Sequence, residues 1–325
     1  MAPDARLQDL SNRMREAALG PHLEGPHTEQ GVLFYHYTTA EGLRGILETG
    51  DLWATNAFYL NDQLETEYGQ RFCDEFLLTQ LRQRPDSHFV TFLSGCRGTI
   101  SGHEAELFPH ELQFITSFSL NGDLLSQWRA YADGGKGFSL GFSPLDLLHL
   151  LGEIAGQTDE KRVPHPLPMK VLYNRDEQER NLSEVLTVVE KEWPSLEADF
   201  LHDDDTNKAL KAMGALWLAT ACMYFKDEAF AQEEEVRVLY SNVREMKVAN
   251  TRLAVCLRSR NGLLIPYRPL GLAGNGMLLP ISKIIMGPLL DGKRTKLALE
   301  MYLQSSGYTG KDMPEITEAR LRLQS

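Results

Sequence analysis

The spacing of apolar residues along the chain alternates between the period of strands and the period of helices. Runs rich in β-branched and aromatic residues predict strands at 32–37, 112–119, 138–142, 236–240, 253–257, 263–267 and 281–286, with shorter candidates at 171–173 and 316–323. Apolar residues three or four positions apart predict helices at 5–20, 63–81, 144–155, 176–230 and 293–305, and a helical turn at 124–131. The interval 85–110 contains three glycines and is predicted to be irregular.

One further helix is predicted by its end signals. Thr38 or Thr39 suits the N-cap, because a threonine hydroxyl can accept a hydrogen bond from a free N–H group of the first turn. Leu43 and Ile46 then give the apolar side, and Gly50 suits the left-handed C-cap position.

The order of elements is strands, a long helical stretch and then strands again. This order is typical of an α+β protein rather than of regular β-α alternation. We expect a single domain at 32–325 with a helical insertion at about 144–230. A short helix and a Pro/Gly/His-rich linker within residues 1–31 are predicted to precede this domain.

The amino-acid composition favours a folded globular protein and argues against one class of function. The chain has 325 residues, 42% apolar and 24% charged, with a formal net charge of −12. These values fit a folded globular protein. The acidic balance weighs against nonspecific nucleic-acid binding, which depends on Lys and Arg contacts to phosphates.

Several signals are missing from the sequence. The first 30 residues are polar, and no apolar run reaches the length of a membrane helix. The four cysteines are widely separated, no HxH or HxxxH pair occurs, and the acidic run 202–205 is interpreted as a solvated loop. No GxGxxG or P-loop motif is present. We therefore expect a cytoplasmic protein with no metal site and no membrane partner.

Three clusters could carry chemistry. His36 lies in the first predicted strand within Tyr-His-Tyr-Thr-Thr, where alternation puts it on the same face as Thr38. A histidine at this place can hydrogen-bond a ribose hydroxyl, although a core histidine bonded to the backbone is the simpler interpretation. Ser117 and Ser119 share one face of the second strand.

Downstream of these serines lies the segment Ser-Gln-Trp-Arg-Ala-Tyr. The planar guanidinium of Arg129 suits a phosphate or a carboxylate. The alternative is a surface loop in which Arg129 packs over Trp128.

The third cluster contains Glu233, Glu235 and Arg237. If the segment is extended, the three side chains point the same way and could stabilise a cation. The alternatives are a charged edge strand with an internal ion pair, or a helix.

Taken in order, these segments resemble a bacterial family known as a domain of unknown function. The resemblance rests on HYT…LWAT…LND, SQWRxY and FxxExExR, and it covers roughly residues 32–290. That family is in turn distantly similar to ADP-ribosyltransferases, which hold NAD⁺ in the cleft of a split, mainly antiparallel β core. The resemblance implies this fold for the present chain.

ADP-ribosyltransferases carry a three-part motif, which consists of an early strand with His or Arg, a second strand with Ser or Tyr and a late strand with Glu. The resemblance implies roles for the residues that match it. His36 matches the first part, Ser117 with Ser119 the second, and Glu233 with Glu235 the third. In this interpretation Glu235 stabilises the oxocarbenium-like transition state, Glu233 orients or deprotonates the acceptor, and Ser117 braces the glutamate. His36 would bind the adenosine-side ribose, and Tyr37, Thr38 and Ser119 are further expected NAD⁺-binding residues. Arg129 would bind the pyrophosphate, and Tyr131, or secondly Tyr37, would stack on nicotinamide.

The implied function is an NAD⁺-dependent ADP-ribosyltransferase with an unknown acceptor, as in a toxin or phage-defence effector that has an antitoxin or immunity partner. With water as the acceptor, the same chemistry gives an NAD⁺ glycohydrolase. The second motif reads Ser-Phe-Ser rather than Ser-Thr-Ser. A non-catalytic nucleotide-binding or interaction module on the same fold is therefore an alternative, and a Mg²⁺-dependent nuclease is a weaker one.

Overall fold

The computed structural model describes residues 3–23, 31–60, 63–84, 87–101, 113–157, 167–241, 255–260, 262–270 and 278–321. The helices are α1 (Pro3–Leu23), α2 (Ala40–Thr49), α3 (Gln63–Gln83), α4 (Phe89–Ser101), α5 (Leu125–Tyr131), α6 (Pro144–Gln157), α7 (Arg175–His202), α8 (Asp204–Cys222) and α9 (Gly292–Ser305). The strands are β1 (Phe34–Thr38), β2 (Trp53–Asn56), β3 (Gln113–Ser119), β4 (Phe138–Phe142), β5 (Pro168–Lys170), β6 (Glu235–Ser241), β7 (Cys256–Arg260), β8 (Leu263–Pro269), β9 (Ile281–Met286) and β10 (Glu315–Glu318).

These strands form one mixed sheet, so the predicted α+β class is confirmed. The strand order is β10-β9-β4-β1-β3-β2-β8-β7, while β6 pairs with β3 and β5 pairs with β6. Within the described residues the pairs are antiparallel except for β9 with β10.

The sheet divides at β3. One side of β3 pairs with β6 along the whole strand, from Gln113 to Ser119. Among the residue pairs that the structure describes, the other side of β3 pairs with β1 at Ser119 and with β2 at Ile115 and Phe114. We call the gap between β1 and β2, opposite Thr116 to Phe118, the fork. It separates a β1–β4–β9–β10 arm from a β2–β8–β7 arm.

Helices cover both faces of the sheet. On one face, apolar residues of α2, α6 and α9 pack on Phe34, Phe118, Leu140 and Val236. On the other face, α1, α3, α4, α7 and α8 form a helical layer that reaches the sheet at Met169 and Leu239. Helix α1 belongs to this layer because its residues Leu10 and Met14 are buried there.

Helix α2 forms as its end signals predict. The Thr39 hydroxyl accepts a hydrogen bond from the Gly42 N–H, so Thr39 is the N-cap rather than Thr38. Gly50 ends the helix at φ 67°, in the left-handed region that glycine adopts without strain.

Several element predictions need correction. Residues 89–101 are helical, although the interval 85–110 was expected to be irregular; residues 102–110 lie outside the described part. The short strand is 168–170 rather than 171–173, because Leu172 forms only an isolated bridge with Phe225. The last strand ends at 318, not 323. The stretch 144–230 contains β5 as well as helices.

Candidate functional site

The candidate site lies around the fork and on the neighbouring face of β3 and β6. Register places Ser119 opposite Glu235 and Ser117 opposite Arg237. Directly paired residues of antiparallel strands point to the same face, so these four side chains lie together. The sequence prediction that Ser117 and Ser119 share a face is confirmed.

His36 lies at the fork. Its Nδ1 is 3.0 Å from the carbonyl oxygen of Ser117, within the stretch of β3 that faces the fork. The imidazole is half-buried and packs edge-on against Phe118, with ring centroids 5.8 Å apart. Burial lowers the pKa of His36, the bond to the Ser117 carbonyl partly opposes this, and the positive charge of Arg258 lowers the pKa further. The imidazole is therefore neutral at pH 7.

The two serine hydroxyls connect β3 to the glutamate segment. The Ser117 hydroxyl hydrogen-bonds the carboxylate of Glu235. The Ser119 hydroxyl donates to the backbone carbonyl of Glu233 at 2.8 Å and accepts from the N–H of Asn121 at 3.1 Å. Both serines therefore fix the position of the chain that carries the carboxylates.

Glu235 lies in a buried ion cluster. Its carboxylate accepts two hydrogen bonds from Arg237, at 2.7 Å from Nε and 2.9 Å from a terminal nitrogen. The ammonium of Lys226 lies 3.4 Å from Glu235 and 2.5 Å from Glu233. Two carboxylates and two cations balance, which makes the burial of all four groups possible.

This environment keeps Glu235 ionised. Burial raises the pKa of Glu235, but the charges of Arg237 and Lys226 and hydrogen bonds from Arg237 and Ser117 outweigh it and lower the pKa from 4.5 to about 2. A carboxylate with so low a pKa stays charged at neutral pH. It can stabilise a cation, but it cannot act as a general base near neutrality.

The backbone before Glu235 is sharply turned. Residues 228–233 form a 3₁₀ helix, and Glu234 has φ 45°, a left-handed conformation. The extended alternative for Glu233 is therefore wrong, because β6 begins at Glu235. Glu233 nevertheless reaches the same cluster through Lys226.

His36, Ser117 and Glu235 are connected by contacts, but their side chains do not all point to the same face of the sheet. His36 and Phe118 lie on one face of the sheet, whereas the Ser117 hydroxyl and Glu235 lie on the other. Ser117 joins them, because its carbonyl contacts His36 and its hydroxyl contacts Glu235.

The remaining predicted residues lie on the β1 arm. Tyr37 is buried; its hydroxyl donates to the Asn121 carbonyl at 2.8 Å, and its ring packs edge-on against Trp128. This placement does not support stacking of Tyr37 on nicotinamide. Thr38 is buried at the end of β1. Tyr131 is half-buried beside the Tyr37–Trp128 contact, and Arg129 is exposed on α5.

Sequence reasoning missed two residues of the glutamate cluster. Lys226 is 1% exposed and precedes Glu233 by seven residues, with its ammonium 4.9 Å from the Phe230 ring centroid. The Tyr173 hydroxyl oxygen accepts the N–H of Glu235 at 2.9 Å. A single lysine beside an acidic segment is ordinary in composition, so only the fold reveals that it is buried.

Comparisons with known proteins add a partial family match. Residues 127–238 match the model of a family described as "Protein of unknown function (DUF2971)". The match covers about a third of the chain and includes Glu233, Glu235 and Lys226, whereas His36 and Ser117 lie outside it. It supports the predicted relationship to a bacterial domain of unknown function. No curated protein and no solved structure matches the chain.

Two further observations concern the described residues alone. No described helix is long and apolar enough to cross a membrane. No described group of three or more His, Cys, Asp or Glu side chains could hold a metal ion. In the run 202–205, the Asp203 carboxylate caps α8 by accepting the Thr206 N–H, which gives that run a structural role at a helix start.

Proposed function

We propose that the chain is an NAD⁺-dependent ADP-ribosyltransferase with a split β core of that type. The observation that carries the proposal is the contact series from His36 to Ser117 to Glu235. These residues come from three strands far apart in sequence, and Ser117 touches both of the others. The division of the sheet at β3 supports a cleft between the two arms.

In this proposal NAD⁺ lies across the fork. His36 binds the adenosine-side ribose, and Glu235 stabilises positive charge as the bond between nicotinamide and ribose breaks. Ser117 holds the Glu235 carboxylate in place. The electron pair of the broken bond leaves with nicotinamide, and the acceptor oxygen or nitrogen attacks the ribose carbon and releases its proton to water. Glu233 orients this acceptor, which is a macromolecule, a small molecule or water.

The test is turnover with a matched pair of variants. Purified protein is incubated with NAD⁺ and a cell lysate, and released nicotinamide and labelled ADP-ribose are measured. We expect Glu235→Gln to lose at least about 100-fold in turnover, since electrostatic stabilisation of this kind contributes 10²–10³-fold. Glu234→Gln is the control, because it makes the same chemical change at the adjacent exposed residue. No turnover by the wild type, or equal turnover by both variants, would refute the proposal.

A second variant separates transfer from hydrolysis. Glu233→Ala should abolish labelling of the acceptor while nicotinamide release persists, if Glu233 acts on the acceptor. Loss of both activities would assign Glu233 to the bond-breaking step. Nicotinamide release by the wild type with no labelled acceptor would identify an NAD⁺ glycohydrolase.

One observation favours a second candidate, a non-catalytic nucleotide-binding module. Glu235 is 7% exposed and is bound by both Arg237 and Lys226. A carboxylate held in this way must lose a partner before it can approach a ribose. Calorimetry with NAD⁺ and ADP-ribose distinguishes the two functions, since binding without nicotinamide release identifies the module.

Biological roles follow from the same proposal. An intracellular effector that consumes NAD⁺ or modifies a host component would need an antitoxin or immunity partner. Co-expression of the neighbouring genes with the wild type and with Glu235→Gln tests this, because only the active protein should require protection.

A further inference from the structure

A cationic and aromatic cluster lies on the arm of the sheet opposite His36. Trp53 and Thr55 belong to β2, Tyr267 to β8 and Arg258 to β7. Register pairs Thr55 with Tyr267 and Tyr267 with Cys256, two residues before Arg258. Because residues two apart on a strand share a face, the four side chains point the same way.

Specific contacts hold Arg258 in this cluster. Its guanidinium donates to the Thr55 hydroxyl at 2.8 Å. The guanidinium carbon lies 6.0 Å from the ring centroid of Trp53 and 6.0 Å from that of Tyr267, and the two rings are 4.7 Å apart. One hydrogen bond and two aromatic rings therefore fix the orientation of the guanidinium. Because the side chain is already ordered, it loses less conformational entropy when an anion binds than a mobile arginine would.

The cluster reaches the fork. Thr55 pairs with Ile115, two residues before Ser117 on β3. The charge of Arg258 also acts on His36 across the fork, where it opposes protonation of the imidazole. By this register Arg258 lies on the same face as the Ser117 hydroxyl and Glu235, so a ligand in the fork would have a half-buried arginine on that face and the neutral histidine on the other.

We propose that Arg258 binds a phosphate of the nucleotide that occupies the fork, and that in NAD⁺ this is the diphosphate. The choice of NAD⁺ rests on the function proposed above, whereas the phosphate site rests on the geometry of Arg258. A planar guanidinium with two N–H groups on one edge matches two phosphate oxygens. Arg129, the residue expected from sequence to bind the pyrophosphate, is instead exposed on α5, a helix that packs against β1.

Calorimetry with NAD⁺, ADP-ribose and adenosine tests the proposal on the full chain. We expect Arg258→Gln to weaken ADP-ribose and NAD⁺ binding about 10- to 100-fold, as removal of a charged hydrogen bond does, and to leave adenosine binding unchanged. Arg258→Lys keeps the charge but not the planar edge, so its loss should be smaller. Arg294→Gln, at an exposed position of α9, is the matched control and should bind all three ligands like the wild type.

The outcomes separate this inference from the proposed reaction. ADP-ribose binding that depends on Arg258, with no nicotinamide release, leaves the phosphate site standing and refutes the enzyme. Equal ADP-ribose affinity in wild type and Arg258→Gln refutes the phosphate site, as does an equal loss for adenosine or the absence of binding in the wild type. Thermal melting checks that each variant folds. If Arg258→Gln does not fold, Arg258→Lys takes its place in the test. An ADP-ribose affinity of Arg258→Lys equal to that of the wild type then refutes the inference.

Discussion

Replacing Lys226 with methionine tests whether the glutamate cluster depends on charge balance. Methionine keeps most of the volume of the buried side chain and removes its charge. Glu235 would then keep its ion pair with Arg237, whereas Glu233 would lose its ion pair with Lys226, at a site where Lys226 is 1% exposed. Breaking a buried ion pair by removing one partner costs about 3–5 kcal/mol, so we expect a loss of this size in the free energy of unfolding.

The pH dependence of stability gives a second measure of the same cluster. The pKa of Glu235 is about 2 in the folded protein and 4.5 ordinarily, a difference that corresponds to about 3 kcal/mol. Because the folded pKa is the lower one, this stabilisation is complete above pH 4.5 and is lost as the pH falls from 4.5 towards 2. In Lys226→Met the pKa of Glu235 rises, so the loss between these pH values should be smaller.

Urea unfolding at pH 7 and at several values down to pH 3 measures both effects. Lys208→Met is the control, because it makes the same change at an exposed position of α8. The double variant Lys226→Met/Glu233→Gln restores charge balance and should recover part of the lost stability. Equal stability of Lys226→Met and wild type, or a double variant less stable than Lys226→Met, would refute the argument from charge balance.

Two further predictions concern packing and pH. Burial lowers the pKa of His22 from 6.5 to about 4 despite its two hydrogen bonds. The free energy of unfolding should therefore fall by about 3 kcal/mol as the pH is lowered from 6.5 to 4. In urea unfolding, His22→Gln should remove this dependence on pH. A Cβ on Gly137 would lie 2.2 Å from the Thr38 carbonyl oxygen, so Gly137→Ala should lower the free energy of unfolding by about 1–3 kcal/mol. Gly98→Ala, exposed on α4 with open space, should raise it by about 0.5–1 kcal/mol. A flat pH profile or the opposite order of the glycine variants would contradict these expectations.

The sequence predicts local structure best where the determinants are local. Helix α2 has its cap and its terminating glycine within a dozen residues, and both act as expected. Helix α4 is different, because its glycines suggest irregular backbone and its helical state depends on packing against α8. A Cβ on Gly214 of α8 would lie 2.5 Å from Phe92 and 2.7 Å from Cys96, which shows how closely the two helices approach. A contact between residues so far apart leaves no local signal.

The glutamate motif shows the same limit. Alternation correctly predicts that Glu235 and Arg237 share a face, because both lie on β6. It fails for Glu233, because the left-handed Glu234 interrupts the strand period. The identity of the second cation, Lys226, follows only from the tertiary fold, which brings the segment after α8 against the start of β6.

The two cations define what catalysis at Glu235 would require. Arg237 binds the carboxylate through two hydrogen bonds of 2.7 and 2.9 Å, whereas Lys226 contacts it at 3.4 Å and contacts Glu233 at 2.5 Å. Lys226 is therefore the partner that Glu235 can lose more easily. A ribose that develops positive charge can take its place, since the carboxylate then exchanges one cation for another rather than becoming exposed without a partner. Under the proposed reaction, Lys226 competes with the transition state while it stabilises the fold. Lys226→Met should consequently be less stable than the wild type but retain nicotinamide release, in contrast to Glu235→Gln. If folded Lys226→Met loses as much activity as Glu235→Gln, this argument is wrong and Lys226 supports the reaction instead.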